Sequence, residues 1–478
     1  MTRFAPSVLQ HDPARRAPIL EVLDAALDAV DPYAAVQNLL RRDGDSLSVS
    51  DPSCRQPDEA LTYDLRRYRR IFVIAAGKAA SPMSRAVEDL LGDRINQGLA
   101  VTKYGHALTA GHPPAAPSSI RIVEAGHPMP DEAGVRAGNE MLALVEQAGE
   151  EDLVIALLSG GGSALLVAPA GQSTGAGGPP LTLADLQGMT DALLSCGATI
   201  NEINCLRKHT SAVKGGQLAR AAQPAALLTL ALSDVIGSPL DVIASGPTVP
   251  DDSTWTDAWA IVEKYDLAGA LPAPVRTRLQ AGLAAEIPDT PKAHDPAFAA
   301  SRTLVVADNR TAADAAMVRA GELGYNTLLL STFVEGEASE VAKLLVGLGR
   351  EVLASGQPVP APACLILGGE TTVTLGQNPG QGGRNQEIAL AAALALQDLP
   401  ALTVVSLATD GTDGPTDSAG GVADSGTVAR GQNAGLAAAD NLRRHDAYPY
   451  LRATADLLLT GPTQTNVNDL HFVFVQEL

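Results

Sequence analysis

Short apolar runs recur along this chain, and each one ends in a Gly-rich or polar loop. A helical pattern follows most of these loops, so the order run, loop, helix repeats through the sequence. This alternation predicts an α/β fold with mainly parallel sheets covered by helices on both faces. The chain is 46% hydrophobic but only 3% aromatic, which disfavours an all-β sandwich. The apolar runs are residues 70–76, 153–158, 226–232, 303–307, 328–331, 364–367 and 402–408.

The length of 478 residues favours two large α/β domains. A stretch rich in Pro and Ala, residues 271–299, lacks a strong strand and is interpreted as a helix and linker. It separates a predicted N-terminal domain, residues 1–270, from a predicted C-terminal domain, residues 300–478. Each domain is expected to hold a Rossmann-like sheet that collects ligands at the carboxyl ends of its strands. The polar loop of residues 460–469 lies between apolar runs and predicts a final strand docked in a sheet.

The net charge of −20, with no long basic tract, disfavours a nucleic-acid partner. Anions must then be bound by isolated Lys and Arg residues and by backbone N–H groups. Residues 1–18 contain no apolar segment, and no run approaches the length of about 20 residues needed to span a membrane, so we expect neither a secretory signal nor a membrane span. Four dispersed cysteines without a CxxC pair predict reduced thiols in a cytoplasmic protein, rather than disulfides or a zinc site. They are Cys54, Cys196, Cys205 and Cys364.

The loop Ser159-Gly160-Gly161-Gly162-Ser163 lies between a buried strand and a helix expected to start near Ala164. Glycines let backbone N–H groups approach an anion, and a helix N-terminus adds partial positive charge, so the loop is predicted to bind phosphate. A simple tight turn is the alternative. The loop lacks the GxGxxG spacing of a dinucleotide site and the Lys of a Walker A loop.

Two groups of cations stand near glycines in this acidic chain. Lys78 follows the first strand between alanines, and these apolar surroundings favour an inward-facing cation for phosphate or carboxylate over a solvated surface Lys. Lys208 and Lys214 lie in a segment with Arg207 and His209. The glycines and hydroxyls around them favour phosphate contacts, and a solvated basic helix face is the alternative.

Carboxylates follow two other strands. Asp234 is expected to hold Mg²⁺ or to orient a hydroxyl nucleophile, with capping of the next helix as the competing interpretation. Asp410 and Asp413 are candidates to hold a hydrated Mg²⁺ beside substrate phosphates, although a single Asp-Gly turn is the simpler explanation for either. Their spacing does not match an EF-hand loop.

In the C-terminal third, Gly369 and Glu370 end one strand, and Arg384 and Asn385 open an apolar helix. A cation at a helix N-terminus is unfavourable by several tenths of a kcal/mol, and a bound anion would reverse that penalty. The pattern therefore predicts a functional Arg384, with Gly369, Glu370 and Asn385 contributing to a nucleotide or phosphate site.

Read together, these segments resemble the class of glycerate 2-kinases that carries a MOFRL domain at its C-terminus. The resemblance covers nearly the whole chain and rests on many motifs in the same order. They are AAGKAA (75–80), EAGHPMPDEAG (124–134), LLSGGGSALL (157–166), NCLRKHTSAVKGGQLA (204–219), LSDVIGSPLDVIASGPTVPD (232–251), GGETTVT (368–374), GGRNQE (382–387), ATDGTDGPTDSAGG (408–421) and TGPTQTNVNDLHFVFV (460–475).

The resemblance implies transfer of phosphate from ATP to the 2-hydroxyl of D-glycerate, with a divalent metal, usually Mg²⁺. It also implies an active site in a cleft between two α/β domains, and it assigns catalysis to Lys78 and Arg384. Small-molecule substrates and a monomer or homodimer are expected. The sequence departs from the pattern in a longer loop, residues 171–180, and in Gln464, which stands where the family pattern has Gly. Residues 168–180, which include this longer loop, are expected to be either a flap beside the Gly160 loop or a solvent-exposed insertion without a role.

Two rival functions are weighed against the kinase. A hydroxypyruvate reductase would need a nicotinamide site, but the chain has neither GxGxxG nor an acidic residue placed for the ribose. A sensor of sugar acids or nucleotides would share the fold without producing ADP.

Overall fold

The computed structural model describes residues 2–50, 61–107, 118–171 and 179–477. They form two compact units. The central unit comprises Pro32–Ser233 and Ser238–Val306, and the C-terminal unit comprises Met1–Asp31, Asp234–Gly237 and Ala307–Leu478. The predicted α/β class is confirmed.

The central unit is built on a six-stranded sheet with the order β6-β5-β4-β7-β8-β9. Neighbouring strands from β6 to β8 are parallel, as the alternation of strands and helices predicts. All seven residues of β7 are buried, since helices cover both faces of a parallel sheet. The strands are β4 (Arg70–Ala76), β5 (Ile95–Lys103), β6 (Ile120–Ala125), β7 (Asp152–Leu158), β8 (Ala226–Leu232) and β9 (Ser301–Ala307). A small antiparallel sheet joins β1 (Leu40–Asp43), β2 (Ser46–Val49) and β3 (Leu61–Asp64).

Nine helices of this unit fall within the described residues. They are α2 (Pro32–Leu39), α3 (Ala80–Leu91), α4 (Glu132–Val145), α5 (Gly162–Leu165), α6 (Leu183–Ser195), α7 (Ile200–His209), α8 (Gln217–Ala222), α9 (Trp255–Lys264) and α10 (Ala273–Leu283). Helices α6, α7, α9 and α10 enclose a separate apolar cluster centred on Trp255, Leu206 and Leu279.

The C-terminal unit holds a second six-stranded sheet, with the order β10-β11-β15-β12-β13-β14. The predicted final strand is β15, which is antiparallel to both of its neighbours, β11 and β12. Strands β10, β11, β12 and β14 consequently run in one direction, and β13 and β15 run in the other. The strands are β10 (Asn326–Val334), β11 (Ala363–Gly369), β12 (Leu402–Ala408), β13 (Gly420–Asp424), β14 (Leu457–Leu458) and β15 (Asp469–Val475).

Seven helices belong to the described part of this unit, and α12 and α13 pack on the sheet through a core that includes Leu345, Ile388 and Val473. They are α1 (Pro13–Ala29), α11 (Asn309–Glu322), α12 (Ala338–Ser355), α13 (Arg384–Ala395), α14 (Thr427–Asn433), α15 (Ala438–Arg443) and α16 (Ala447–Ala453).

The packing units differ from the predicted domains in two places. The expected linker, residues 271–299, belongs to the central unit, because α10 buries Val275 and Leu279 in its apolar cluster. The first 31 residues belong to the C-terminal unit, because α1 packs against α11.

Three of the four cysteines, Cys196, Cys205 and Cys364, are free thiols, and Cys54 lies outside the described residues. Residues 172–178 of the predicted flap also lie outside them. Within the described ranges, every helix is too short or too polar to cross a membrane.

Candidate active site

The Gly-rich loop that follows β7 is hydrogen-bonded to the end of β4. The Ser159 amide donates to the Ala76 carbonyl at 3.0 Å, and the Lys78 amide donates to the Gly160 carbonyl at 2.8 Å. The Ser159 hydroxyl accepts a hydrogen bond from the Ala79 amide at 3.0 Å. These bonds fix the backbone that carries Lys78. The helix that follows is the four-residue α5, which is too short to supply the dipole on which the phosphate-loop prediction relied.

Gly161 is the position of this loop where the backbone conformation itself disfavours a side chain. Its φ is +80°, and an added Cβ would lie 3.0 Å from the imidazole of His127 and 3.4 Å from Cγ of Lys78. The glycine therefore lets two basic side chains approach the same loop.

His127 is a candidate site residue without an assigned role in the sequence analysis. Burial and, to a smaller extent, the charges of Lys78, Lys103 and His106 lower its pKa to about 4. A neutral imidazole in a cluster of positive groups indicates a local field that attracts anions. His127 lies in the motif EAGHPMPDEAG (124–134), but its position next to Gly161 is seen only in the folded structure.

Lys208 and Lys214 are engaged inside the protein, contrary to the phosphate contacts predicted for them. The ammonium group of Lys208 lies 3.1 Å from Asp251 and 3.2 Å from Asp241. Lys214 donates to the carbonyls of Ser163 at 2.6 Å and Leu166 at 2.9 Å. Burial, together with the charge of a neighbouring Arg, lowers the pKa of Lys214 to about 7. Both lysines therefore stabilise the walls of the site.

The Ser163 hydroxyl is similarly engaged, because it shares a hydrogen bond of 2.8 Å with Ser245. Gly162 packs closely: an added Cβ would lie 2.9 Å from Cβ of Ala244. In this loop, side chains and glycines serve mainly to hold the backbone in place.

Arg384 is held by two carboxylates in the C-terminal unit. Its Nε lies 2.6 Å from Asp469 Oδ2, and its Nη2 lies 3.2 Å from Asp469 Oδ1. Its Nη1 donates to Glu370 at 2.6 Å. Asp469 is fully buried, which raises the pKa of its carboxyl to about 7 although the charge of Arg384 opposes the rise. The guanidinium, about one third exposed, is thereby fixed in orientation at the edge of a cavity.

The anion predicted at the N-terminus of α13 is a side chain of the protein. Asp413 accepts the backbone amides of Asn385 at 3.1 Å and Gln386 at 2.8 Å. Its carboxylate complements the helix dipole and offsets the unfavourable position of Arg384. With both oxygens accepting amide hydrogens, Asp413 fits a capping role better than the predicted metal ligand.

Asn385 and Gly369 are also structural in this fold. The Asn385 side chain is completely buried, donates to Asp413 at 3.2 Å and accepts from the Ser406 hydroxyl at 2.6 Å. An added Cβ on Gly369 would lie 2.0 Å from the Val334 carbonyl oxygen, so the close pairing of strands requires glycine. Neither residue therefore presents an accessible group that could make the predicted contact with a nucleotide.

The cavity beside Arg384 has a volume of about 590 Å³, within the range of small-molecule sites. Glu387 and His445 line it, and His445 Nδ1 lies at hydrogen-bonding distance, 3.0 Å, from Glu387 Oε1; neither residue was predicted from the sequence. Burial raises the pKa of Glu387, and His445 opposes the rise. Asp410 also lines the cavity, and its Oδ1 accepts from the amide of Thr412 at 3.0 Å.

Among the described residues, no group of three or more His, Cys, Asp or Glu side chains is arranged to hold a metal ion. Mg²⁺ needs less, since one or two carboxylates with substrate phosphates and water commonly suffice. Asp410, at the cavity wall, fits that requirement. Asp234 belongs to the C-terminal unit, where the Asn466 amide approaches its carboxylate at 3.4 Å.

Residues 18–280 match the family described as a domain of unknown function, DUF4147, and residues 363–469 match the MOFRL family. The chain is 39% identical to the glycerate 2-kinase of Pyrococcus horikoshii, over 95% of this chain and 96% of that protein. It is 39% identical to a putative hydroxypyruvate reductase of Agrobacterium vitis, over 97% of this chain and 95% of that one. The crystal structure of Thermotoga maritima glycerate kinase matches with a TM-score of 0.81 and 36% identity, over 97% of this chain and all of that one. This chain, with its DUF4147 region followed by a MOFRL region, therefore belongs to the glycerate kinase family.

Proposed function

We propose that this protein is a glycerate 2-kinase, which transfers the γ-phosphoryl group of ATP to the 2-hydroxyl of D-glycerate and releases 2-phosphoglycerate and ADP. The observation that carries the proposal is the match over nearly the whole length to glycerate kinases of archaea, bacteria and vertebrates. The fixed Arg384 in its cavity supports it chemically.

Phosphoryl transfer depends on positioning and on neutralising charge at the γ-phosphoryl group, with little covalent help from the protein. In the proposal, Lys78 supplies a point charge from a backbone fixed by the Gly160 loop. Arg384 supplies a planar group whose orientation Asp469 and Glu370 determine. Each contacts the transferring group or the glycerate carboxylate.

Asp410 is the proposed Mg²⁺ ligand, with Asp234 as a second carboxylate that acts on the metal or on the acceptor hydroxyl. When bound, the metal would neutralise charge on the nucleotide phosphates. Asp413 is not proposed as a metal ligand, because it caps α13.

The test replaces Lys78 and Arg384 singly by Met and measures ADP production from D-glycerate, ATP and Mg²⁺. Loss of one such electrostatic contact is expected to lower kcat by about 10²–10³. Lys343→Met, on an exposed face of α12, is the matched control and should keep wild-type turnover. Near-normal turnover in a folded Lys78 or Arg384 variant would remove that residue from the mechanism.

Hydroxypyruvate reduction is the alternative suggested by the name of the Agrobacterium vitis relative. Incubating the protein with NADH and hydroxypyruvate should leave the absorbance of NADH unchanged. Steady oxidation of NADH would favour the reductase.

A further inference from the structure

A second, smaller cavity lies within the central unit, with a volume of about 50 Å³. A single water needs roughly 10–15 Å³ by the same measure, so the cavity can take a group of several heavy atoms. Pro128–Pro130, the end of the Gly-rich loop at Ser163, and helices α6 and α7 form its walls.

Two charged side chains line this cavity, and Lys214 donates to two carbonyls, whereas Arg207 has no hydrogen-bond partner among the described residues. It is half-buried, and among the described residues no oxygen accepts a hydrogen bond from its guanidinium. Burial lowers its pKa, and its positive charge lowers the pKa of Lys214 as well. A partly desolvated cation without a partner is costly, and a bound anion would offset that cost.

Arg207 differs from the other cations of this segment, which all have partners within the protein. Lys208 is paired with two aspartates, and His209 lies 3.1 Å from Asp289. Lys214 donates to two carbonyls. Each of these groups has a structural partner, so Arg207 differs from them in being available to a ligand in the cavity.

The walls indicate what kind of anion fits. Val167, Leu186 and Met189 are apolar, and the hydroxyls of Thr190 and Thr210 donate to carbonyls of their own helices at 2.9 and 2.8 Å. Arg207 is therefore the described side chain of this wall whose donors are all available to a ligand. A planar guanidinium with apolar walls suits the carboxylate of a small organic acid.

Two residues in the wall of this cavity are close in the chain to residues that lie near Lys78. Ser163 in its wall is two residues from Gly161, which packs against Lys78 and His127, and Pro128 in its wall follows His127 in the chain. A small acid with its carboxylate at Arg207 would thus extend toward the loop that carries Lys78.

We propose that Arg207 binds the carboxylate of the acceptor substrate and so selects small hydroxy acids over uncharged polyols. This assignment rests on the proposed glycerate kinase function and extends it. Arg207 is a substrate-binding residue in this account, distinct from the groups that contact the transferring phosphoryl.

The test uses the full chain with Arg207→Met, Arg207→Lys and the control Arg136→Met, an exposed position on α4. Steady-state kinetics give KM for D-glycerate and for ATP separately, and calorimetric titration gives Kd for D-glycerate without turnover. Loss of charge-assisted hydrogen bonds predicts a rise of roughly 10- to 100-fold in KM and Kd for glycerate in Arg207→Met. KM for ATP should change less than twofold, and Arg207→Lys should be intermediate.

Thermal unfolding separates this role from a structural one. Because the unliganded cation has no partner in the described part of the chain, Arg207→Met should unfold at the wild-type temperature or higher, and added glycerate should stabilise only the wild type and the control. Glycerate Kd within twofold of wild type in Arg207→Met would overturn the assignment. A rise in KM for ATP alone would do the same and would indicate a nucleotide phosphate at Arg207. If the wild type forms no ADP from glycerate, the proposed function fails first, and the assignment fails with it.

Discussion

Replacing Arg384 by Met should make the free energy of unfolding depend more steeply on pH. Asp469 is completely buried, and in the wild type its carboxyl has a pKa of about 7 despite two hydrogen bonds from Arg384. Its pKa in the unfolded chain is near the model-peptide value of about 3.9. The folded state therefore binds the extra proton, and stability falls as pH rises through the folded pKa.

The magnitude follows from that pKa. Between pH 6 and pH 8, a carboxyl with a pKa of 7 reduces stability by about 1.4 kcal/mol. Without Arg384, burial should raise the pKa of Asp469 further and keep it protonated across this range. The reduction then becomes about 2.7 kcal/mol, so the variant should lose about 1.3 kcal/mol more than the wild type.

Urea unfolding at pH 6, 7 and 8 measures this difference for the wild type, Arg384→Met, and the double variant Arg384→Met/Asp469→Asn. The Asn side chain does not titrate, so the double variant should lose the extra pH dependence. Equal pH slopes in the wild type and in Arg384→Met would refute the view that Arg384 lowers the pKa of the buried Asp469.

Three further outcomes are expected. Gly161→Ala and Gly197→Ala both place a side chain at positive φ, so each should cost about 1–2 kcal/mol of stability. Only Gly161→Ala should abolish turnover, because a Cβ at position 197 meets nothing within 4 Å. Asp413→Ala should destabilise by about 0.5–2 kcal/mol, measured by urea unfolding, without changing the Mg²⁺ concentration needed for activity. His209 is buried, which lowers its pKa, but its hydrogen bond to Asp289 raises the pKa to about 9. Stability from this pair is present below about pH 6.5 and is lost as pH rises through 9; Asp289→Asn should abolish that loss, at most about 3 kcal/mol, in unfolding curves recorded at pH 6 and pH 9.

Features that depend on the end of a strand could be predicted from the sequence. Apolar runs followed by Gly-rich loops located Lys78 after β4 and the Ser159–Ser163 loop after β7, and those loops are neighbours because β4 pairs with β7. The sheet geometry brings such loops together whatever their separation in the chain.

Features that depend on distant partners could not be predicted. Lys208 finds its carboxylates 33 and 43 residues away, and Asp413 caps a helix that begins 29 residues before it. Local sequence shows a cation or an acid but not the group that neutralises it. For the same reason, the partners of Lys214, and the lack of one for Arg207 within the described ranges, emerge only from the fold.

The path of β15 is a further example. Its apolar pattern predicts a buried strand, but its insertion between β11 and β12 in antiparallel register depends on pairings about 60 to 110 residues apart, which no local pattern encodes. That insertion also brings Asp469, the first residue of β15, within hydrogen-bonding distance of Arg384.

The catalytic roles of Lys78 and Arg384, the Mg²⁺ ligands, the oligomeric state as monomer or homodimer, and a cytoplasmic location stay predictions. For the catalytic roles, the Met variants above provide the test, and the Mg²⁺ dependence of Asp413→Ala tests whether Asp413 is a metal ligand.

The most direct test of the central claim identifies the product. The protein is incubated with D-glycerate, ATP and Mg²⁺, and the product is passed to enolase, which accepts 2-phosphoglycerate and not the 3-phospho isomer. The account predicts that phosphoenolpyruvate forms in step with ADP. Formation of ADP with no phosphoenolpyruvate would place the phosphate on the wrong hydroxyl, and no ADP at all would contradict the kinase assignment itself.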